Sequence, residues 1–180
     1  MNFNRHSELE GKHAFLGASN YHWLNYDKPK LISVYYNMMA KQRGTRLHKF
    51  ASDAIKENIK LEDNDSTLGM FVNDCIDDRM ASEAILYYSP NAFGTADAIS
   101  FDDDTLKIYD LKTGKTPASM KQLYIYAAFF CLEHGINPND ILTHLRIYQN
   151  SEALILEPDP SEIWDVMDKT IFFDDVIQHL

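Results

Sequence analysis

Three short strand patterns follow one another between residues 84 and 112, and this succession constrains the fold more than any other feature of the chain. Residues 84–88 form an apolar run closed by Pro90 and Asn91, and residues 93–101 are a second strand candidate. Residues 106–112 alternate in polarity after a turn of three aspartates at residues 102–104. We therefore expect neighbouring extended segments in one sheet.

Helical patterns surround these strands. Apolar spacing predicts helices over residues 31–60, 68–80, 118–134 and 161–179, with Thr45 and Ser161 as caps. Residues 142–149 predict another strand, paired with residues 153–156, and the acidic residues 62–66 predict a surface loop. This order predicts an α/β (α+β) fold, in which a mixed central sheet is flanked by helices.

The chain is predicted to be one domain. Its 180 residues are 45% apolar, which is enough for a core, and no repeat or linker divides them. We assign a core at about residues 44–150, a basic helical segment at 1–43 and a C-terminal helix at 161–179. No run of eighteen apolar residues occurs, and the polar start has no signal-peptide core, so we expect a soluble, cytoplasmic protein without a membrane partner. Cys75 and Cys131 are too few for a disulfide framework or a four-thiolate site and are expected to be buried free thiols.

Charge is distributed unevenly along the chain. The formal net charge is −10, but residues 1–60 carry ten basic against five acidic residues, whereas residues 61–180 carry seven against twenty-two. A basic first third and an acidic remainder suit a protein that holds metal ions in an acidic pocket and approaches nucleic acid through a basic segment. A solvated acidic surface without a partner is the alternative explanation of the same pattern.

Two of the strand patterns carry residues suited to metal chemistry. Asp110 and Lys112 point to one face of an extended strand, and a neighbouring strand can bring Asp97 alongside them. Convergent carboxylates need a counter-charge, and Mg²⁺ or Mn²⁺ prefers such oxygen ligands. Asp97, Asp110 and the carbonyl of Leu111 would hold the metal, and Lys112 would orient water or stabilise charge on a phosphate. This set predicts metal-assisted phosphodiester hydrolysis.

Three further side chains extend this candidate site. Gln122 and Tyr126 are four residues apart on the helix that follows the third strand pattern, so both project from one helix face and could reach a phosphate or a metal-bound water. His48 lies in a helical pattern and is either a metal ligand or a polar surface residue. The remaining histidines show no ligand spacing.

Taken in order, Gly44-x-x-x-His48, Gly94-x-x-Asp97, Asp110-x-Lys112 and Gln122-x-x-x-Tyr126 resemble the motif set of the PD-(D/E)XK nuclease superfamily, specifically its RecB-like and phage exonuclease branch. The resemblance spans residues 44–126. It implies a restriction-endonuclease-like core in which His48, Asp97 and Asp110 are metal ligands and Lys112 is catalytic. Gln122 and Tyr126 would position DNA or the reacting water.

The resemblance also implies a function. We expect a Mg²⁺- or Mn²⁺-dependent deoxyribonuclease, an exonuclease of phage-type recombination or DNA processing, with endonuclease action as the alternative. Glu83 matches the position of an accessory acidic residue in some relatives. The third motif has Asp110 where Glu is common, which preserves the carboxylate. Two cysteines do not suffice for the iron–sulfur cluster of some relatives. Contacts to DNA are predicted for Arg43, Arg46, Lys115, Lys121, Gln122 and Tyr126. A single-strand annealing protein as partner and a homo-oligomer stay open.

Three other functions compete with this one. Gly114, Lys115 and Thr116 resemble the end of a nucleotide-binding phosphate loop, but such a loop needs glycine at position 109, which is Tyr109. A non-enzymatic acidic protein that mimics DNA or inhibits a nuclease would explain the net charge but not the four ordered motifs. A catalytically silent nuclease-fold module is disfavoured because no motif residue is missing.

Overall fold

The computed structural model describes residues 4–62 and 65–180. The chain divides into two compact units, Met1–Arg43 and Gly44–Leu180. In the first unit, 3₁₀ helices at Ser7–Leu9 and Tyr21–Asn25 precede the beginning of α1 (Lys28–Lys56). The α-helical part of the predicted basic segment therefore begins at Lys28. The predicted acidic loop at 62–66 includes residues 63 and 64, which lie outside the described residues.

The second unit contains the rest of α1 and the whole sheet. Its other helices are α2 (Thr67–Asp77), α3 (Lys121–His134) and α4 (Pro160–Gln178), with a 3₁₀ helix at Pro138–Asp140. Its strands are β1 (Ala81–Ser89), β2 (Ala92–Asp102), β3 (Thr105–Leu111), β4 (Leu142–Gln149) and β5 (Glu152–Leu156). The predicted α/β (α+β) class, a mixed sheet flanked by helices, is confirmed.

The sheet has the strand order β1-β2-β3-β4-β5, and neighbouring strands are antiparallel except for the parallel pair β3 and β4. A parallel pair needs a long crossover, and the segment containing α3 provides it. Two tight turns join antiparallel strands through positive φ angles, at Asp103 and Asp104 and again at Asn150 and Ser151. Asp and Asn tolerate this left-handed conformation better than other non-glycine residues, which explains why three aspartates predicted the first turn.

Each face of the sheet is covered by a separate apolar core. On one face, Leu106, Ile108, Leu145 and Ile147 pack with α3 and α4 residues. The opposite core contains these residues from α1, α2 and the other side of the same strands: Ala51, Ala54, Ile55, Phe71, Val72, Cys75, Tyr109, Leu111 and Tyr148. Because α3 is buried between the sheet and α4, it is apolar on most of its circumference.

The helix caps differ from the sequence prediction. Thr45 is not a cap, because α1 continues through it without interruption from Lys28 to Lys56. Ser161 is not the cap of α4 either. Asp159 holds that position, accepting a hydrogen bond from the Ser161 N–H while Glu162 completes a capping box. The sequence pattern therefore located both helices but misplaced the caps. In α4 the reason is that two side-chain oxygens two residues apart, on Asp159 and Ser161, compete for the same backbone donors.

None of the helices within residues 4–62 and 65–180 has both the length and the apolar character needed to cross a lipid bilayer. Cys75 and Cys131 are both buried free thiols, one in each of the two cores, as predicted. Burial raises the pKa of the Cys131 thiol to about 11. Both thiols therefore act as small apolar core residues.

Candidate functional site

The two strand aspartates lie across from each other at one end of the β2 and β3 pair. The pairing of β2 with β3 ends at Ala98 and Tyr109, so Asp97 and Asp110 are the next residues on the two strands. Asp97 Oδ2 accepts a hydrogen bond of 2.9 Å from the N–H of Leu111. In an extended strand the N–H and C=O of one residue point to the same side, so the Leu111 carbonyl also faces Asp97. The Leu111 side chain is buried in the opposite core.

Asp110 is a buried acid in an unusual environment. It is 2% exposed, and burial, followed by the charge of Asp97, raises the pKa of its carboxyl despite the neighbouring Lys112 ammonium. Lys112 Nζ donates to Oδ1 at 3.0 Å. Oδ2 lies 2.9 Å from the same Nζ but accepts no hydrogen bond of suitable geometry from the described residues. An inward carboxylate oxygen of this kind can accept a cation.

A chain of polar contacts leads from Lys112 onto α3. Lys112 Nζ donates to Gln122 Oε1 at 2.8 Å, and Gln122 Nε2 lies 2.7 Å from the Tyr126 hydroxyl. These two partners fix the orientation of the Gln122 amide, since its oxygen must face the ammonium. Burial raises the pKa of Tyr126, so its hydroxyl stays protonated. The spacing of four residues thus brings both side chains to the Lys112 side of the helix.

Gly94 makes room for the Tyr126 ring. A Cβ at Gly94 would lie 2.8 Å from Cε1 of Tyr126, which is closer than carbon atoms approach. Tyr126 is only 8% exposed, so its ring has little space to move aside. The glycine of Gly94-x-x-Asp97 is therefore explained by close packing against the Gln122-x-x-x-Tyr126 helix, and not by a special backbone angle.

One face of α1 brings His48 to Asp97. Gly44, His48 and Ser52 are four residues apart and share this face. A Cβ at Gly44 would lie 2.7 Å from Thr113 Oγ1, so glycine allows the helix to approach the loop after β3. His48 Nδ1 is 3.2 Å from Asp97 Oδ1, and this hydrogen bond raises the pKa of the imidazole against the opposing effect of burial.

Glu83 lies at a distorted position in β1. Pairing on both sides of it, Ser82 with Ala98 and Ala84 with Ala96, sets it opposite Asp97, yet its φ angle is +54°. A left-handed non-glycine residue inside a strand costs about 1 kcal/mol or more. Ligand atoms of His48, Glu83 and Asp97 all lie within 4.8 Å of one another. Asp110 is not a member of this three-residue group.

The predicted DNA contacts are distributed differently. Lys115 and Lys121 are exposed, in the loop after β3 and at the start of α3. Arg46 is exposed on α1 two residues before His48, about 200° around the helix, so it faces away from this group. Arg43 belongs to the first unit. Thus the structure brings Lys112 together with the two strand aspartates and with the α3 side chains Gln122 and Tyr126. It does not bring Arg46 to them.

Two residues of this region were not singled out from the sequence. Gln149, the last residue of β4, donates to the carbonyls of Gly114 and Thr116. Thr113 packs against Gly44. Neither residue has a spacing or a charge that could have revealed it, because both contacts join segments distant in the sequence.

Comparison with known proteins adds little to this geometry. A family model described as a protein of unknown function (DUF2800) matches residues 72–128. No curated protein and no solved structure matches the chain. The matched segment runs from α2 to α3 and includes Glu83, Asp97, Asp110, Lys112 and Tyr126. It does not include His48.

Proposed function

We propose that the protein is a Mg²⁺- or Mn²⁺-dependent deoxyribonuclease of the PD-(D/E)XK superfamily, in its RecB-like and phage exonuclease branch. The observation that carries this proposal is the buried Asp110. Its Oδ2 accepts no hydrogen bond from the described residues, Lys112 Nζ lies 2.9 Å away, and the charge of Asp97 is near enough to raise its pKa. An exonuclease in phage-type recombination, acting in the host cytoplasm beside a single-strand annealing protein, is the specific form proposed.

The donor set fits a hard divalent cation. His48, Glu83 and Asp97 offer one nitrogen and two carboxylates within 4.8 Å. We assign Asp110, which lies outside this three-residue group, to the same donor set because its buried Oδ2 accepts no hydrogen bond from the described residues. The carboxylate oxygens of this set suit Mg²⁺ and Mn²⁺, whereas its single imidazole is a donor typical of transition metals. When bound, the metal would stabilise negative charge on a phosphate oxygen and lower the pKa of a bound water. The strain at Glu83 supports its place in the set, because such strain concentrates at functional positions.

Lys112 has a separate task. Its ammonium is held between the Asp110 carboxylate and Gln122 Oε1, and its side chain is 30% exposed, so it can reach a phosphodiester. We assign it to orienting the attacking water and stabilising charge on the phosphate oxygens. Gln122 fixes the ammonium, and Tyr126 supports Gln122 through the 2.7 Å contact.

The test is cleavage of end-labelled linear DNA and closed circular DNA with Mg²⁺, with Mn²⁺ and with EDTA. We expect loss of the linear form only, and only with metal. Loss of both forms identifies an endonuclease. Asp103→Asn should cleave like wild type, because it removes an exposed acid at a turn where Asn accepts the left-handed backbone. No metal-dependent cleavage of either form by wild type contradicts the proposal and leaves the acidic DNA-mimic alternative.

Gly94→Ala is expected to reduce cleavage about tenfold or more with little change in metal affinity. The new Cβ would displace the Tyr126 ring and with it the contact to Gln122. The measurement is kcat on linear DNA together with Mn²⁺ titration by calorimetry. In a Tyr126→Ala background the same substitution should cost almost nothing further, because the ring it displaces is gone. Equal losses in both backgrounds would show that Gly94 acts elsewhere.

A further inference from the structure

The loop between β3 and α3, residues 112–120, connects Lys112 to the helix that carries Gln122. Gln149 holds this loop with three hydrogen bonds. Its Nε2 donates to the carbonyls of Gly114 at 2.6 Å and Thr116 at 2.8 Å, and its Oε1 accepts from the Ala118 N–H at 3.1 Å. Since donors face carbonyls and the acceptor faces an N–H, the amide can take only this orientation.

The beginning of the loop is fixed as well. The Lys112 N–H donates to the Tyr148 carbonyl at 2.9 Å, continuing the pairing of β3 with β4. Thr113 lies against α1 at Gly44, where no Cβ would fit. Backbone groups at both ends and in the middle of residues 112–118 are therefore tied to the sheet, although the side chains of residues 113–117 are exposed.

This tie determines which backbone groups face outward. In a trans peptide the N–H points opposite to the preceding carbonyl, and the described residues contain no cis peptide. With the Gly114 carbonyl on Gln149, the Lys115 N–H points away from it, towards the exposed side. The Thr116 carbonyl also faces Gln149, and the next residue, Pro117, has no N–H to leave outward.

The loop is also where positive charge is concentrated in an acidic part of the chain. Residues 61–180 carry seven basic against twenty-two acidic residues. Within the described part of this segment, three of the seven form ion pairs: Lys107 with Asp78, Lys112 with Asp110, and Arg146 with Asp74. Lys115 and Lys121 are two of the four others and lie at or beside the loop. Both are more exposed than Lys112, so their charges are available to attract a polyanion to this loop.

We propose that residues 113–118 form a phosphate-binding loop for the DNA backbone beside the scissile bond, with the Lys115 ammonium and N–H as contacts and Gln149 as the positioning residue. This inference rests on the proposed function. It assigns the DNA contact predicted for Lys115 to one phosphate. It also explains why Gln149 makes three hydrogen bonds to an exposed loop.

The test compares wild type with Gln149→Met, which keeps the side-chain length and neutrality but makes no hydrogen bonds. Hydrogen exchange at the Ala118 amide should speed up at least tenfold, a readout that does not depend on nuclease activity. KM for linear DNA should rise about tenfold while kcat stays within threefold. The slope of log Kd against log salt should fall by about one, as for Lys115→Ala. Adding Gln149→Met to Lys115→Ala should weaken DNA binding by less than twofold.

Each outcome has a distinct meaning. Unchanged exchange at Ala118 overturns Gln149 as the positioning residue. Faster exchange with wild-type KM and salt slope overturns the phosphate-binding loop, while cleavage by wild type leaves the proposed function standing. A lower kcat at unchanged KM would show that the substitution disturbs catalysis and not DNA binding, and it would also overturn the phosphate-binding loop. A wild-type protein that neither binds nor cleaves DNA overturns the proposed function and the loop with it.

Discussion

Asp110→Asn is expected to abolish metal-dependent cleavage, by about a thousandfold or more, and to stabilise the metal-free protein. The loss of activity follows from removing one carboxylate of the proposed metal-binding set. The gain in stability follows because Asp110 is 2% exposed, faces Asp97 and has a carboxyl pKa raised mainly by burial. The neutral amide avoids this desolvation and repulsion.

The sign of the pH dependence follows from that raised pKa. Protonated Asp110 contributes its full stability below the ordinary aspartate pKa of about 3.9, and this stability is lost as pH rises through the higher pKa of the folded state. In EDTA the advantage of Asp110→Asn should therefore be absent at low pH, grow with pH and then level off. Each kcal/mol gained should raise Tm by about 2 to 4 °C.

Metal should reverse the order of stability. We expect Mg²⁺ or Mn²⁺ to bind well only to the folded wild type, so either ion should raise the Tm of wild type and leave that of Asp110→Asn nearly unchanged. Thermal unfolding with EDTA and with saturating metal measures both effects. Asp78→Asn is a control that should change Tm in the opposite direction, lowering it in EDTA. Burial opposes ionisation of Asp78, but hydrogen bonds from Lys107 and Tyr109 outweigh burial and lower the pKa of its carboxyl. A lower Tm for Asp110→Asn in EDTA would contradict the prediction.

Much of the fold could be predicted from the sequence because its strands and turns are encoded by short-range patterns. Residues 142–149 were predicted as a strand and have those bounds, and the turn at Asp103 and Asp104 has the positive φ angles that aspartate tolerates. Helix ends were less accessible. Thr45 was wrong as a cap because packing of Ala51, Ala54 and Ile55 stabilises one long helix, which the local cap signal cannot report.

The candidate site could be predicted from the sequence only in part. Strand alternation predicted that Asp110 and Lys112 share a face, and helix spacing predicted the same for Gln122 and Tyr126, since both rules are periodic. The left-handed backbone at Glu83 could not be predicted, because glutamate has no preference for it. The clamp of Gln149 on the loop joins residues about thirty positions apart, and no periodicity encodes such a contact.

Lys112→Ala is expected to lower kcat by about a hundred- to ten-thousandfold while metal binding persists. The reason is that Nζ is the ammonium between Asp110 and Gln122, whereas the metal ligands proposed here are carboxylates, an imidazole and a carbonyl. Removing a cation that pairs with Asp110 should leave Mn²⁺ binding as tight as in wild type or tighter. Single-turnover cleavage and Mn²⁺ calorimetry measure the two effects.

Two further variants make this prediction specific. Lys112→Arg should restore little activity, because a planar guanidinium cannot replace a compact ammonium held by one carboxylate and one amide oxygen. Lys49→Ala is the matched control, since Lys49 is an exposed lysine one residue after His48 that pairs with Asp53 on the helix surface. Wild-type kcat in Lys112→Ala would remove lysine from the chemistry. Loss of Mn²⁺ binding in the same variant would instead assign Lys112 to holding the acidic residues in place.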